Sequence, residues 1–248
     1  ATLRAQDEVK LGRNGYIGLV HEKGKPLEVK EAGVYKVSVL ESKMQPSSTV
    51  LQKYTDFILS SNDERRNTMT ATGAVHRGDN DKSAIRLQLP DKDHSGMFNK
   101  IAVINWLPGD VTGPYVVSVK NMFEDVLAEI ETSKTGIQLD LDEQKYANEN
   151  ALLIEVKAKS NPKLISSQHL IKKLSPAELE KVAEAVKTLK QDMPEESAIS
   201  QLYLATLYEQ NGLLIDAIYA YEQAVKLEPE VSDFRKSYEE FLTRQNLK

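Results

Sequence analysis

The chain contains no cysteine. That removes a disulfide framework, a thiolate nucleophile and any cysteine-ligated metal site at one stroke. Excess positive charge is also missing: the net charge is −5 and the basic residues are scattered. A nucleic-acid backbone is therefore not an expected partner. No run approaches the roughly 18 apolar residues that a membrane helix requires, so no integral membrane segment is expected. The opening "ATLRAQDEVK" lacks the basic end and apolar stretch of a signal peptide, and because it begins at Ala1 rather than Met the chain could be the mature product of a precursor. The sequence also holds no phosphate loop, dinucleotide fingerprint, nucleophile elbow or zinc-protease helix. What it does hold, 40% hydrophobic and 28% charged residues over 248 positions, is enough for a buried core in one large domain or two to three small ones.

The clearest signal lies near the end, in "LLIDAIYAYEQAVKLEPE" from Leu213 to Glu230. Small and aromatic residues recur there on a helical period that a proline closes. With Pro229 at the closing position of a roughly 34-residue unit, Leu204, Ala205 and Tyr208 fall on a first helix and Gly212 in the turn. Ala217, Tyr221, Ala224 and Leu227 then fall on a second helix. The small residues permit close approach and the tyrosines fill the remaining volume. This stretch resembles a tetratricopeptide repeat, with Gln201 where the family usually has Trp.

One repeat cannot bury both of its faces, so neighbours are required. Upstream, "SPAELEKVAEAVKTLKQDMP" opens with a capping box of Ser175, Pro176 and Glu178, and Leu179, Val182, Ala183, Val186 and Leu189 form one apolar stripe. Downstream, Phe234, Tyr238, Phe241 and Leu242 form another. Residues 175–248 are predicted to be four helices, one full repeat between two helical caps.

Between residues 84 and 174 the hydrophobic period falls to two. The runs "AIRLQLP", "KIAVINW", "YVVSVKN", "VLAEIETSK", "GIQLDLD", "ALLIEVKAK" and "QHLIKKL" predict seven strands, the count of an immunoglobulin-like sandwich. "IAVINWLPGDVTGPYVVSVKN" resembles the fibronectin type III pattern, with Trp106 closing one strand, a Pro-bearing turn, and Tyr115 opening the next. Ile104, Val117 and Val119 should share the inward face, as should Leu152, Ile154, Val156 and Ala158. Leu152 stands where that family usually has its corner tyrosine. Trp106 is expected in the core.

At the start, "GYIGLVHEKGKPLEVKEAGVYKVSVL" alternates around a "KGK" turn and reads as a three-stranded meander, with Tyr16, Leu19, Leu27, Val29, Val34, Tyr35 and Val37 as core candidates. It resembles the small β module of FecR-type bacterial proteins over about 40 residues. "TVLQKYTDFILSSN" then sets Val50, Leu51, Tyr54, Phe57 and Ile58 on one helical face. The expected layout is a multidomain α+β chain. A small β meander plus helix occupies 1–62, a polar linker 63–83, a seven-stranded fibronectin III-like sandwich 84–174, and a tetratricopeptide-like bundle 175–248.

Three short motifs invite chemistry. "DKDHSG" places Asp91, Asp93 and Ser95 as the first half of a calcium loop, but Ala102 stands at the twelfth position where a bidentate Glu belongs, so a polar turn is the expectation. "RGD" at Arg77–Asp79 is too short to inform. Asp140, Asp142 and Glu143 fall at the end of a strand, where solvated charge is the default. His21, His76, His94 and His169 show no helical ligand spacing, and no metal or cofactor is expected.

The three resemblances together imply a non-catalytic interaction or scaffold protein of the bacterial cell envelope, docking a protein or peptide partner through its C-terminal helices. Positions matching the repeat's peptide-facing surface are Leu202, Thr206, Glu209 and Gln210, joined by Asp233 and Lys236 on the next helix. The alternatives are a structural subunit of an envelope assembly, its sandwich edges pairing with neighbours, or a hydrolytic enzyme with a site between modules. A periplasmic or otherwise extracytoplasmic location is expected, with the cytoplasm left open. Helices packed against the sandwich instead of presenting a groove carry equal weight.

Overall fold

A computed structural model describes residues 2–21, 23–68, 85–193 and 196–248. The remainder of the expected linker, and with it His76 and the Arg77–Asp79 tripeptide, lies outside the described residues. The protein is mixed α+β, with seven α-helices among the described residues.

The first segment forms two antiparallel pairs rather than a three-stranded meander. Strand β1 (Glu8–Leu11) pairs with β4 (Gly33–Lys36), while β2 (Ile17–His21) and β3 (Gly24–Val29) form a hairpin. Leu11, Val29 and Leu40 close a small core beneath them. Val37, expected in a strand, instead opens helix α1 (Val37–Lys43), and Val34 is 62% exposed. The cause is periodic ambiguity: Val37 and Leu40 fit a helical i, i+3 spacing as well as a strand's alternation, and a short apolar run does not separate the two. Helix α2 (Thr49–Thr68) continues into the stretch expected to be linker.

The middle segment contributes β5 (Arg86–Leu87), β6 (Gly96–Met97), β7 (Ile101–Leu107), β8 (Tyr115–Lys120), β9 (Val126–Thr132), β10 (Gly136–Asp140), the short helix α3 (Gln144–Ala147), β11 (Ala151–Ala158) and β12 (His169–Lys173). Each of the seven apolar runs carries a strand, and β6 is an addition with no alternating signal of its own. The strands build two sheets, ordered β10-β7-β5 and β6-β12-β11-β8-β9. All pairings are antiparallel except β6 with β12. The sheets share one core of Ile104, Trp106, Val117, Val119, Leu152, Ile154 and Val156 with their neighbours. Trp106 is 2% exposed and meets Tyr115 edge-on at 5.4 Å. An aromatic pair so buried is worth about 0.5–1.5 kcal/mol beyond its area. Leu152 is also in this core, and the large tyrosine volume nearby comes from Tyr146 on α3.

Four helices follow: α4 (Pro176–Gln191), α5 (Ala198–Gln210), α6 (Leu214–Leu227) and α7 (Ser232–Arg244). The capping box is complete, with Ser175 N donating to Glu178 at 2.9 Å and Glu178 N to Ser175 Oγ at 3.4 Å. Gly212, at φ 72°, turns α5 into α6, a conformation that costs a residue with a Cβ. Ala205, Ala217 and Ala220 are fully buried where these helices approach.

The units interlock. The inward row of β7, Ala102, Ile104 and Trp106, belongs to the sandwich, while Val103 on its other face joins the helical core. Reciprocally, Ile215 of α6 joins the sandwich core. Leu51, Tyr54 and Ile58 of α2 complete the helical core from the far end of the chain, packing on α4 and α5. Polar contacts fix the same seam. Asp216, fully buried in the first turn of α6, accepts Phe98 N and Asn99 N at 2.7 Å each. Asn105 of β7 donates to Glu222 at 2.6 Å.

Candidate functional site

A cavity of about 310 Å³ lies where β2, α2, α5 and α7 meet. Ile199, Leu202 and Thr206 face it from α5, and Phe234, Ser237 and Arg244 from α7. Phe57 and Ile58 of α2 and the Tyr16–Val20 stretch close the other side. These segments converge because each had an apolar face left over: α2 after packing on α5, and the hairpin after closing its small core.

Glu28 sets the hairpin's position. Its carboxylate, on β3, accepts the Tyr16 hydroxyl at 2.7 Å and Ile199 N at 2.9 Å. Ile199 lies in the first turn of α5, where backbone N–H groups lack helical partners and the dipole favours an anion. Lys30 balances the charge, 3.6 Å from Glu28 and 2.6 Å from Glu228. Burial, then the adjacent Glu28 carboxylate, holds the Tyr16 phenol far above its ordinary range, so it remains a donor. Its ring meets Phe234 edge-on at 5.7 Å. A second anchor sits at the end of α4, where Asp192 accepts Ser48 N at 2.8 Å and lies 3.2 Å from Lys25.

The polar groups of the cavity are mostly engaged from within. Thr206, 1% exposed, donates to Leu202 O at 2.9 Å, and Ser237 donates to Asp233 O at 2.9 Å. Arg244 forks onto Glu209 with bonds of 3.0–3.2 Å, and Tyr221 and Gln245 donate to the same carboxylate. The lining is therefore mixed, more apolar than polar, with Asp233, 80% exposed, as a negative charge at its mouth.

Of the residues expected from the repeat pattern, Leu202, Thr206 and Asp233 line this cavity. Glu209 is spent on Arg244 beneath it, its side chain only 6% exposed. Gln210 is half-buried at the end of α5, and Lys236 projects into solvent 3.9 Å from Asp233. Tyr16, Phe57 and Phe234 are among the contributors that the repeat pattern does not indicate. All three were legible as members of apolar faces, but nothing local tells that those faces meet.

The other motifs resolve into local structure. Asp91 Oδ1 lies 3.0 Å from His94 Nδ1, and Ser95, 2% exposed, donates its hydroxyl to Lys92 O. Asp93 lies in the same short 3-10 turn, Lys92–His94. Asp140 accepts Asp142 N, Asp142 pairs with Lys100, and Glu143 pairs with Lys145. Among the described residues no three His, Asp or Glu side chains cluster as metal ligands, and no helix is long and apolar enough to cross a membrane. No protein-family model and no curated protein matches the chain.

Proposed function

We propose that this chain is a non-catalytic docking or scaffold protein of the bacterial cell envelope, which holds a protein or peptide partner by its C-terminal helices. The observation that carries this reading is the cavity on α5 and α7. Its lining, more apolar than polar, and its volume suit one or two apolar side chains of a partner, with a cationic neighbour meeting Asp233. The hydroxyls of Tyr16, Thr206, Tyr221 and Ser237 and the Arg244 guanidinium are hydrogen-bonded within the fold.

The sheet order supports reading the middle unit as an immunoglobulin or fibronectin III-like spacer, and the α5–α6 hairpin with its buried alanines supports a tetratricopeptide-like tail. In this reading the N-terminal β module is a wall of the site rather than a separate unit. Extracytoplasmic placement belongs to the same proposal, and rests on the module types alone.

The test is a cross-linking pull-down with the full chain as bait, comparing Leu202→Arg with wild type. Leu202 is half-buried at the lining and packs on two of the buried clusters, so the change blocks the cavity and circular dichroism first checks that the fold is kept. A partner cross-linked near Lys236 or Lys53 and reduced about ten-fold by Leu202→Arg is the expected result. A partner captured equally by both proteins removes the cavity from the reading.

A further inference from the structure

An asparagine precedes a glycine twice in the chain, at Asn14–Gly15 and at Asn211–Gly212. In such a pair the glycine N has no side chain beside it to hinder its approach to the asparagine Cγ. The two pairs are held very differently. Asn14 is exposed in the turn between β1 and β2, at φ 60°, and among the described residues its amide makes no side-chain hydrogen bond. One backbone bond closes that turn, Gly15 N to Gly12 O at 3.2 Å, and nothing lies within 4 Å of where a Gly12 Cβ would stand. Asn211, although exposed, donates its side-chain amide to Leu207 O at 2.7 Å, and its backbone N reaches Leu207 O and Tyr208 O. Gly212 N is held by Glu209 O at 3.1 Å and Leu213 N by Tyr208 O at 2.9 Å. Tyr208 and Leu213 belong to the buried helical core, so freeing this second pair means unwinding the end of α5.

We infer that Asn14–Gly15 is a self-modification site of the folded chain and that Asn211–Gly212 is protected from the same reaction. Gly15 N attacks Asn14 Cγ and gives up its proton while the Cγ–Nδ2 bond breaks, so that ammonia leaves and a five-membered imide closes. Water then opens the ring on one side or the other. One opening restores a normal peptide after an aspartyl side chain; the other carries the main chain through that side chain as an isoaspartyl linkage. The attack requires the peptide between the two residues to rotate until N and Cγ meet. At Asn14 one backbone bond resists that rotation, whereas at Asn211 it waits on a local opening of the helical core. The glycine is also fixed in the first pair, because a Cβ at Gly15 would stand 2.4 Å from Leu11 Cδ1. The consequence falls on the cavity wall. Gly15 leads into Tyr16, whose hydroxyl donates to Glu28 and whose ring meets Phe234. An isoaspartyl linkage lengthens the main chain by one atom between Leu11, in the small core, and Tyr16, and either product adds a carboxylate. An aged molecule therefore tethers this wall more loosely, whatever enters the cavity.

The test incubates the full chain in mildly alkaline buffer at body temperature, folded and, in parallel, in concentrated urea. Peptide mapping with electron-transfer fragmentation follows both asparagines and separates aspartyl from isoaspartyl products. In the folded chain Asn14 should convert about ten-fold faster than Asn211. In urea the two should convert at similar rates, because neither pair is then held by the fold. Asn14→Gln, whose longer side chain closes the imide poorly, should remove conversion at that position and leave the circular dichroism spectrum unchanged. Equal rates for the two asparagines in the folded chain overturn the inference, as does an Asn14 that keeps its amide as long as Asn211 does. An Asn14 advantage that persists undiminished in urea overturns it too, because it would trace the selectivity to flanking sequence rather than to the fold.

Discussion

The sandwich and the helical unit close their cores by different means. The sandwich fills its own, with Ile215 of α6 as a contribution from outside. The helical unit cannot. A single repeat-like hairpin leaves two faces open, and it covers them with Leu51, Tyr54 and Ile58 from α2 and Val103 from β7. The lesson is that a lone helical hairpin need not be a weak or open one. Missing neighbours can be recruited from distant sequence, and the cost is that the helices lose their independence from the rest of the chain.

The sharpest way to break this contrast is to remove a borrowed residue. Leu51 is fully buried in the helical core, and Leu51→Ala should lower the unfolding free energy in urea by about 2–5 kcal/mol. Hydrogen exchange should then show α4 and α5 losing protection together with α2. If only α2 loses protection, the helical unit closes without it and the contrast fails.

Asp216 probes the seam itself. Its two backbone donors favour the carboxylate, but burial dominates and raises its pKa from 3.8 to about 6. The folded state therefore holds the proton more tightly than the unfolded chain. The stability this confers is fully present below pH 3.8 and is lost as pH rises through about 6. The stabilisation on acidification is at most about 3 kcal/mol. His169 works in the opposite sense across part of this window, because burial lowers its pKa from 6.5. Stability from that imidazole is fully present above 6.5 and is lost as pH falls below it through the lowered folded value, so the readout is the difference between wild type and Asp216→Asn. Asp192 does not interfere. Burial would raise its pKa, but Ser48 and Lys25 outweigh burial and hold it below 3.8, so its contribution is lost only at more acid pH. Asp216→Asn should flatten the Asp216-dependent part of the profile between pH 7 and pH 5. At neutral pH it should cost about 1–3 kcal/mol, because its amide NH₂ must face a backbone donor. Equal pH profiles for both proteins would show that the seam does not depend on this carboxyl.

These residues also mark how far the sequence could be read. Strand positions were legible because alternation in "IAVINW" or "ALLIEVKAK" is local and one face is always buried. The α5–α6 hairpin was legible because its alanines and Gly212 sit at fixed spacings. The interlocking was not. Val103 and Ile215 read as ordinary members of their own strand and helix, and only the fold shows that they cross into each other's core. The cavity was half legible for the same reason: Leu202, Thr206 and Asp233 follow from the repeat pattern, whereas Tyr16 and Phe57 reach it through packing between segments remote in sequence. Glu209 fitted a partner-facing position by spacing alone, and Arg244, one helix beyond the hairpin, decides its role.

The smallest expected effect separates the seam from the outer face of the five-stranded sheet. That face carries Lys159 paired with Glu131 at 2.7 Å, with both side chains about half exposed. An exposed pair gains little Coulomb energy in water and gives up side-chain freedom to form. Lys159→Ala should therefore cost no more than about 0.5 kcal/mol, and added salt should erase even that. The backbone bond from Lys159 N to Pro114 O survives the change. Asn105→Ala, of similar size, instead strips a part-buried partner from Glu222 at the seam, where Tyr238 also donates, and should cost about 1–3 kcal/mol. The stability contrast turns on burial rather than on the number of polar contacts. Equal costs for the two alanine variants in the same urea titration would show that the seam around Glu222 is no drier than the open face of the sheet, and that the Asn105 contact adds nothing there to what Val103, Ile215 and Asp216 supply.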